Sequence, residues 1–251
     1  TSSTTNGYGS VDRFFINYSG LDEDPTQAQV DVASGTTPYT LGFRKAFKIT
    51  NGNQTSGAGA SDRLLIAQRF EGQDIANSGW NYLSSSSNIT LSFWVKSSVA
   101  QNFYVRFKSA DTTSQAYVIE TGSLSADTWT KITKTISGNS NIVFNNDNGE
   151  GLEITWELFR GTDQTGTRPL NAWAAADNAT RTPDQTSTWY TTNDATFEIT
   201  GVQLEVGSQA TAFEHRSKGE ETQLCKRYYY EMTTSNSGYS KLIMHQNGYF
   251  Q

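Results

Sequence analysis

The residues that most often carry chemistry are few here. There are two histidines, His215 and His245, and one cysteine, Cys225. None lies at a spacing that brings a second nitrogen or sulfur ligand to a shared metal, and a zinc site needs three or four. His215 sits just before a predicted helix and reads as a residue that orients that junction. The sequences G-x-x-x-x-G-K-[ST], G-x-G-x-x-G, G-x-S-x-G and H-E-x-x-H do not occur. Gly57-Ala-Gly-Ala-Ser61 is glycine-rich, but no basic residue or helix start follows it in phosphate-binding position, so it reads as a hairpin loop.

Carboxylates remain. A glycosidase holds two at about 5–10 Å, and Glu153/Glu157 or Glu198/Glu205 are candidate pairs. Both pairs also fit the ordinary wet face of a strand, and a pair alone is no motif. Asp22-Glu23-Asp24 and Asn145–Asn148 are rich in oxygen donors of the kind calcium takes. Neither has EF-hand spacing, and Asx-rich turns explain both. The expectation is a chain with no catalytic residue, no metal and no cofactor.

Binding chemistry is better represented. Aromatic residues make up 12% of the chain, including six tryptophans. A flat ring covers the C–H face of a sugar while neighbouring amides reach its hydroxyls. Trp80, Tyr82, Trp173, Trp189 and Tyr190 lie in turn-rich or polar segments and are the candidate platforms. The competing reading has these rings anchoring their loops to a core.

The elements that must position these rings are short strands. Candidates are Arg13–Tyr18, Ala28–Ala33, Phe43–Thr50, Arg63–Phe70, Ile89–Lys96, Asn102–Lys108, Ala116–Thr121, Thr130–Ser137, Leu152–Phe159 and Thr196–Val206. Phe103, Val105 and Phe107 alternate with Tyr104, Arg106 and Lys108. Leu152, Ile154, Trp156 and Leu158 alternate with Glu153, Thr155 and Glu157. A period of two with one polar face means sheets buried on one side and wet on the other. The predicted core includes Phe93, Val95, Phe103, Val105, Phe107, Ile154, Trp156, Leu158, Val202 and Leu204. In the last strand the apolar parity slips between Ile199 and Val202 with Gly201 at the slip, the mark of a β-bulge.

Residues 161–193 are long, polar and without strand periodicity, yet hold three of the candidate rings. They read as a flap whose aromatics pack it onto the sandwich. Ser217-Lys-Gly-Glu220 fits a capping box and predicts a short helix over Ser217–Tyr229. Lys241–Met244 reads as a strand. The fold class is therefore all-β: an antiparallel two-sheet β-sandwich of jelly-roll type, followed by a short C-terminal helix. Residues 1–10 read as a linker, 11–213 as the jelly roll, 214–231 as a helical connector and 232–251 as the start of a further β-region. The chain is expected to be a fragment of a longer protein.

Composition narrows the partners. Net charge is −6, and a negative surface repels phosphate backbones, so nucleic acid is not expected. Apolar stretches are of strand length, far short of the roughly 18 residues of a membrane-spanning helix, so no membrane insertion is expected. One cysteine forms no internal bridge. Charged residues are 18% of the chain, and Ser, Thr, Asn, Gln and Gly supply much of the polarity.

The stretch from Phe197-Glu-Ile-Thr-Gly-Val-Gln-Leu-Glu-Val-Gly through Ala212-Phe-Glu-His-Arg-Ser-Lys-Gly-Glu-Glu to Cys225-Lys-Arg-Tyr-Tyr229 resembles a signature of bacteriophage tail-fibre and virion-appendage proteins. Their last jelly-roll strand reads ITGVQLE-G and leads into ATPFE-RSYGEELALCQRYY. This chain has Ala212 where that pattern has Pro, and Lys218 where it has Tyr. Upstream, Asp12-Arg13-Phe14, Gln68-Arg-Phe-Glu-Gly72 and Leu91-Ser-Phe-Trp-Val-Lys96 are similar to further pieces. The resemblance covers about residues 12–230.

It implies a jelly roll like that of carbohydrate-binding modules, within a virion appendage that takes part in host-surface attachment and binds other virion proteins and a host surface glycan. A capsid-surface decoration protein, or a carbohydrate-binding module joined to a glycoside hydrolase, are the alternatives. The helix presents Leu224, Tyr228 and Tyr229, more apolar surface than one stripe needs, and these are the candidate assembly interface. The resemblance makes a homotrimer the expected state, against packing on the chain's own sandwich or on a downstream region.

Overall fold

In the computed structural model the described residues are 2–226, 230–232 and 242–244. They form two compact units, Thr1–Thr211 and Ala212–Gln251. The first holds thirteen strands: β1 (Ser2–Ser3), β2 (Gly7–Tyr8), β3 (Phe14–Ser19), β4 (Thr26–Asp31), β5 (Lys45–Thr50), β6 (Arg63–Glu71), β7 (Asn88–Ser97), β8 (Tyr104–Ser109), β9 (Gln115–Glu120), β10 (Thr130–Ser137), β11 (Glu150–Arg160), β12 (Trp173–Ala175) and β13 (Thr196–Val206). Short helices α1 (Thr37–Thr40), α2 (Gly72–Ala76) and α3 (Thr188–Thr191) lie between them. A six-stranded sheet runs β1-β4-β5-β13-β7-β10 and a seven-stranded sheet β12-β9-β8-β11-β6-β3-β2. The ladders in both are antiparallel. The architecture is the two-sheet sandwich that the alternating runs require.

All ten expected strands are present, and Thr130–Ser137 and Thr196–Val206 match at both ends. The core lies between the sheets. From the six-stranded side come Phe93, Val95, Phe197 and Ile199; from the seven-stranded side Val105, Phe107, Ile154 and Leu158. Trp156 joins them, 1% exposed, with its ring centroid 5.8 Å from Phe93 edge-on and 5.8 Å from Phe14. Val202 and Leu204, expected in the core, are half-buried at its margin. The cause is the bulge. The register against β7 shifts between Thr200 and Gln203, and Gly201 takes a φ of +60°. A Cβ there meets the Phe43 ring at 2.6 Å, so glycine alone fits both the conformation and the space.

Two further differences matter. Residues 1–10, expected as a linker, contribute β1 and β2 to the two sheet edges. The fully buried Gln27 amide holds that segment by donating to the carbonyls of Thr5 (2.8 Å) and Gly7 (3.2 Å). Arg106, assigned to a wet face, does point away from the core but is 2% exposed. The strand period was read correctly; something else covers that face.

In the second unit, helix α4 spans Lys218–Lys226. The capping box is formed: the Ser217 amide donates to Glu220 Oε2 (2.8 Å) and the Glu220 amide to Ser217 Oγ (3.2 Å). These bonds hold the Glu220 carboxyl below the usual range, with the Ser217 amide the largest cause. Strands β14 (Tyr230–Met232) and β15 (Leu242–Met244) pair antiparallel. Leu224 is exposed; Tyr228 and Tyr229 lie outside the described residues.

Candidate functional site

The cover over the seven-stranded sheet is built from residues 161–193. The segment leaves β11 at Gly161, where a Cβ meets the carbonyl oxygens of Gly59 and Ala60 at 2.3 Å. Only a residue without a side chain turns there. Thr165 and Thr182 then form a parallel bridge, and the Arg181 amide donates to the Gln164 carbonyl at 2.8 Å. At the far end the segment is nailed down by rings. Trp189 is fully buried; its Nε1 donates to the Thr196 carbonyl (3.0 Å), and its amide donates to Gln101 Oε1 (2.9 Å). Tyr190 is fully buried, stacks on Phe159 with centroids 4.2 Å apart, and donates its hydroxyl to Asp62 Oδ2 at 2.9 Å. Burial, and then the Asp62 carboxylate, push that hydroxyl's pKa well above the usual phenol value. The Arg168 guanidinium donates to the carbonyls of Ala175, Ala116 and Ala174, pinning β12.

Beneath this cover lies a cluster of buried charge. Along β11, Glu153, Thr155 and Glu157 face Lys108, Arg106 and Tyr104 of β8. Glu157 is fully buried and accepts from Thr155 Oγ1 (2.7 Å), Arg160 Nε (2.7 Å) and Arg160 Nη2 (3.1 Å). Arg160 also reaches Gln164 Oε1 at 2.5 Å. The Nε atoms of Arg106 and Arg181 are buried with no hydrogen-bond partner. Burial brings the Arg106 guanidinium down to about 10, helped by Arg160 and Arg181 and opposed by Glu157 and Glu153. Arg181 is lowered by burial and then by Arg160.

The outward face of the six-stranded sheet keeps part of its side chains in solvent among the described residues. On β7, Leu91, Phe93 and Val95 point into the core, so Ser92, Trp94 and Lys96 point out. Trp94 is half-buried and lies between Thr200 of β13 and Lys131 of β10. Lys96 Nζ is 3.1 Å from Glu198 and 5.1 Å from the centre of the half-buried Trp129 ring. Elsewhere, a cleft of about 180 Å³ opens beside the bulge, with Phe14, Gln29, Lys45 and Gly201 among its walls.

The structure scatters the five candidate rings. Trp80, 3% exposed, and the fully buried Trp189 and Tyr190 present no free face. They serve as anchors, because a ring large enough to stack on a sugar is also large enough to hold a loop. Tyr82 and Trp173 keep some exposure and lie against the end of β10 and the chain that follows it. Trp173 Nε1 donates to the Ser137 carbonyl (2.7 Å), and the Asn139 amide to the Tyr82 carbonyl (2.7 Å). Tyr82 is held edge-on to Phe144 at 5.0 Å and Trp173 tilted to Tyr117 at 5.3 Å. Trp94 and Trp129, outside the five, are half-buried rings, and the parity of β7 marks Trp94 as outward-facing.

The carboxylate pairs are engaged separately: Glu153 with Arg69, Glu157 with Arg160, Glu198 with Lys96, and Glu205 with the Thr211 amide. The oxygen-rich loops bond to their own surroundings. Asp22 accepts from the Ser56 amide (2.6 Å), which is the largest cause of its lowered pKa, and Asp147 accepts from the Gly149 amide (3.0 Å).

No family model and no curated protein matches this chain. Among solved structures it is similar to the enzymatically active domain of bacteriophage CBA120 tailspike protein 4, with 10% identity over 78% of this chain and 20% of that one, at a TM-score of 0.42. A sugar-binding protein of Bacteroides thetaiotaomicron, so described provisionally, shows 13% identity over 81% and 95% of the two chains, TM-score 0.42. The family 11 carbohydrate-binding module of a Clostridium thermocellum cellulosomal cellulase shows 10% identity over 84% and 97%, TM-score 0.39.

Proposed function

We propose that this chain is a non-enzymatic attachment module of a virion appendage, and that it binds a surface glycan on the open face of its six-stranded sheet. The observation that carries the glycan reading is Trp94: a half-buried indole at an outward-facing strand position, with Thr200 and Lys131 beside it and the Lys96–Glu198 pair next along the face. The ring offers a flat apolar surface and its neighbours offer hydrogen-bond donors and acceptors, the combination a pyranose uses. Its rigid strand holds that geometry without an ordering cost at binding. The appendage role is supported by the resemblance of the Phe197–Tyr229 stretch, in which the capping box of α4 is intact.

Glycan-array binding by the full chain tests the first part. Binding lost in Trp94→Ala with an unchanged melting midpoint is the expected result. Binding retained in Trp94→Ala but lost in a Tyr82→Ala, Trp173→Ala pair moves the platform to the sandwich edge. Detection of the protein in purified virions tests the second part, and its absence there rejects the appendage role in favour of a module joined to a glycoside hydrolase.

A further inference from the structure

The arginine cluster under the flap is over-supplied with positive charge. Arg63, Arg106, Arg160 and Arg181 influence one another there, with Glu153 and Glu157 as the nearby carboxylates. Both carboxylates are already used: Glu157 by Arg160 and Thr155, Glu153 by Arg69 at 3.0 Å. Arg63 Nε is bonded to Asn17 Oδ1 at 2.8 Å. Arg106 and Arg181 are left without an ion pair among the described residues, and each has a buried Nε with no hydrogen-bond partner. An isolated charge in such a place is costly, and folds normally pair it or neutralise it.

Geometry adds a direction. Arg106 rises from the sheet as a floor, 2% exposed, between Tyr104 and Lys108 on the same strand face. Arg181 belongs to the 161–193 segment and is half-buried, so part of its side chain is reached by solvent. A buried guanidinium with a partly exposed one within electrostatic reach of it suits a small planar or tetrahedral oxyanion.

We propose that this site binds the carboxylate or sulfate group of an acidic saccharide, with Arg106 at its base and Arg181 closing over it. The saccharide part rests on the glycan reading above; the anion part stands without it.

The test uses the full chain at fixed ionic strength, with sodium chloride as the reference and glucuronate, inorganic sulfate and glucose as probes. The expected result is a melting midpoint raised by glucuronate and not by glucose, with binding visible by calorimetry. Arg181→Gln, at a half-exposed position, should weaken glucuronate about ten- to a hundredfold, the worth of one charge-assisted hydrogen bond. Arg106→Gln should abolish the response. Trp94→Ala should leave it intact, which separates this site from the one on the opposite sheet. Equal midpoints in chloride, sulfate and glucuronate overturn the proposal, as does an undiminished response in Arg181→Gln. A response to sulfate alone overturns the saccharide assignment.

Discussion

The two outward faces of the sandwich start from the same rule and end in different physics. On both, alternate residues of a central strand point away from the core and include charged side chains. On the six-stranded sheet they stay partly wet: the Lys96 and Glu198 side chains keep 25% and 10% of their exposure, and their ion pair is 3.1 Å long. On the seven-stranded sheet the 161–193 segment closes over them: the Arg160 and Glu157 side chains keep 1% and 0%, at 2.7 Å. A partly wet pair competes with water and contributes little. A dry pair has already lost its water, so each partner depends on the other. Charge at a strand position therefore takes its meaning from what lies above it.

The largest effects belong to what both faces share. Trp156→Ala empties a site lined by Phe14 and Phe93 and is expected to cost about 3–5 kcal/mol in urea denaturation. A loss under about 1 kcal/mol, the range of surface changes, would show the ring to be dispensable. Glu157→Gln tests the covered face at similar size. It removes the carboxylate that receives both Arg160 donors and leaves a guanidinium beside two more, an expected loss of about 3–5 kcal/mol. A neutral result there erases the contrast between the faces.

Arg106→Met should act in the opposite direction. Burial brings its guanidinium from the ordinary arginine value down to about 10 on folding, so the unfolded chain holds that proton more tightly. Between those values the unfolded state binds more protons, and stability rises with pH; below pH 10 the whole penalty is present. Removing the charge while keeping an unbranched stem is expected to return about 1–3 kcal/mol in anion-free buffer. A destabilisation of about 1 kcal/mol or more would mean that Arg106 is bonded in solution.

How much of this was legible beforehand differs between the faces. Period two gave the strands, the inward set and the slip at Gly201, because one buried face imposes its parity on the sequence. The same parity marked Trp94 as outward. It was silent on the cover, since hydrophobic alternation reports which side of a strand faces the core and nothing about a segment arriving from elsewhere in the chain. Arg106 therefore read as wet. The flap itself was recognisable from its length and its rings, but Trp189 and Tyr190 look the same in sequence whether they face a sugar or Phe159. Burial by non-local chain decides that, and single-sequence pattern does not encode it.

The smallest expected effect completes the comparison. Lys96→Met and Glu198→Gln break the open-face pair one side at a time. Water still reaches part of each partner, so the orphaned charge rehydrates, and each variant should lose less than about 1 kcal/mol. Their coupling in a double-mutant cycle should be about 0.2–1 kcal/mol. It should shrink further in molar salt, where the screening length falls to about 3 Å. Lys96 also lies over Trp129, so Lys96→Met keeps the stem on that ring while removing the cation, and the lost attraction is about 0.5–1 kcal/mol at an exposed site. The same cycle on Arg160 and Glu157 should give a coupling several times larger and nearly independent of sodium chloride, because both side chains are already out of water and buried pairs are screened little. If the two cycles agree in size and in salt dependence, the flap does not keep water from the arginine cluster, and the distinction between the faces is lost.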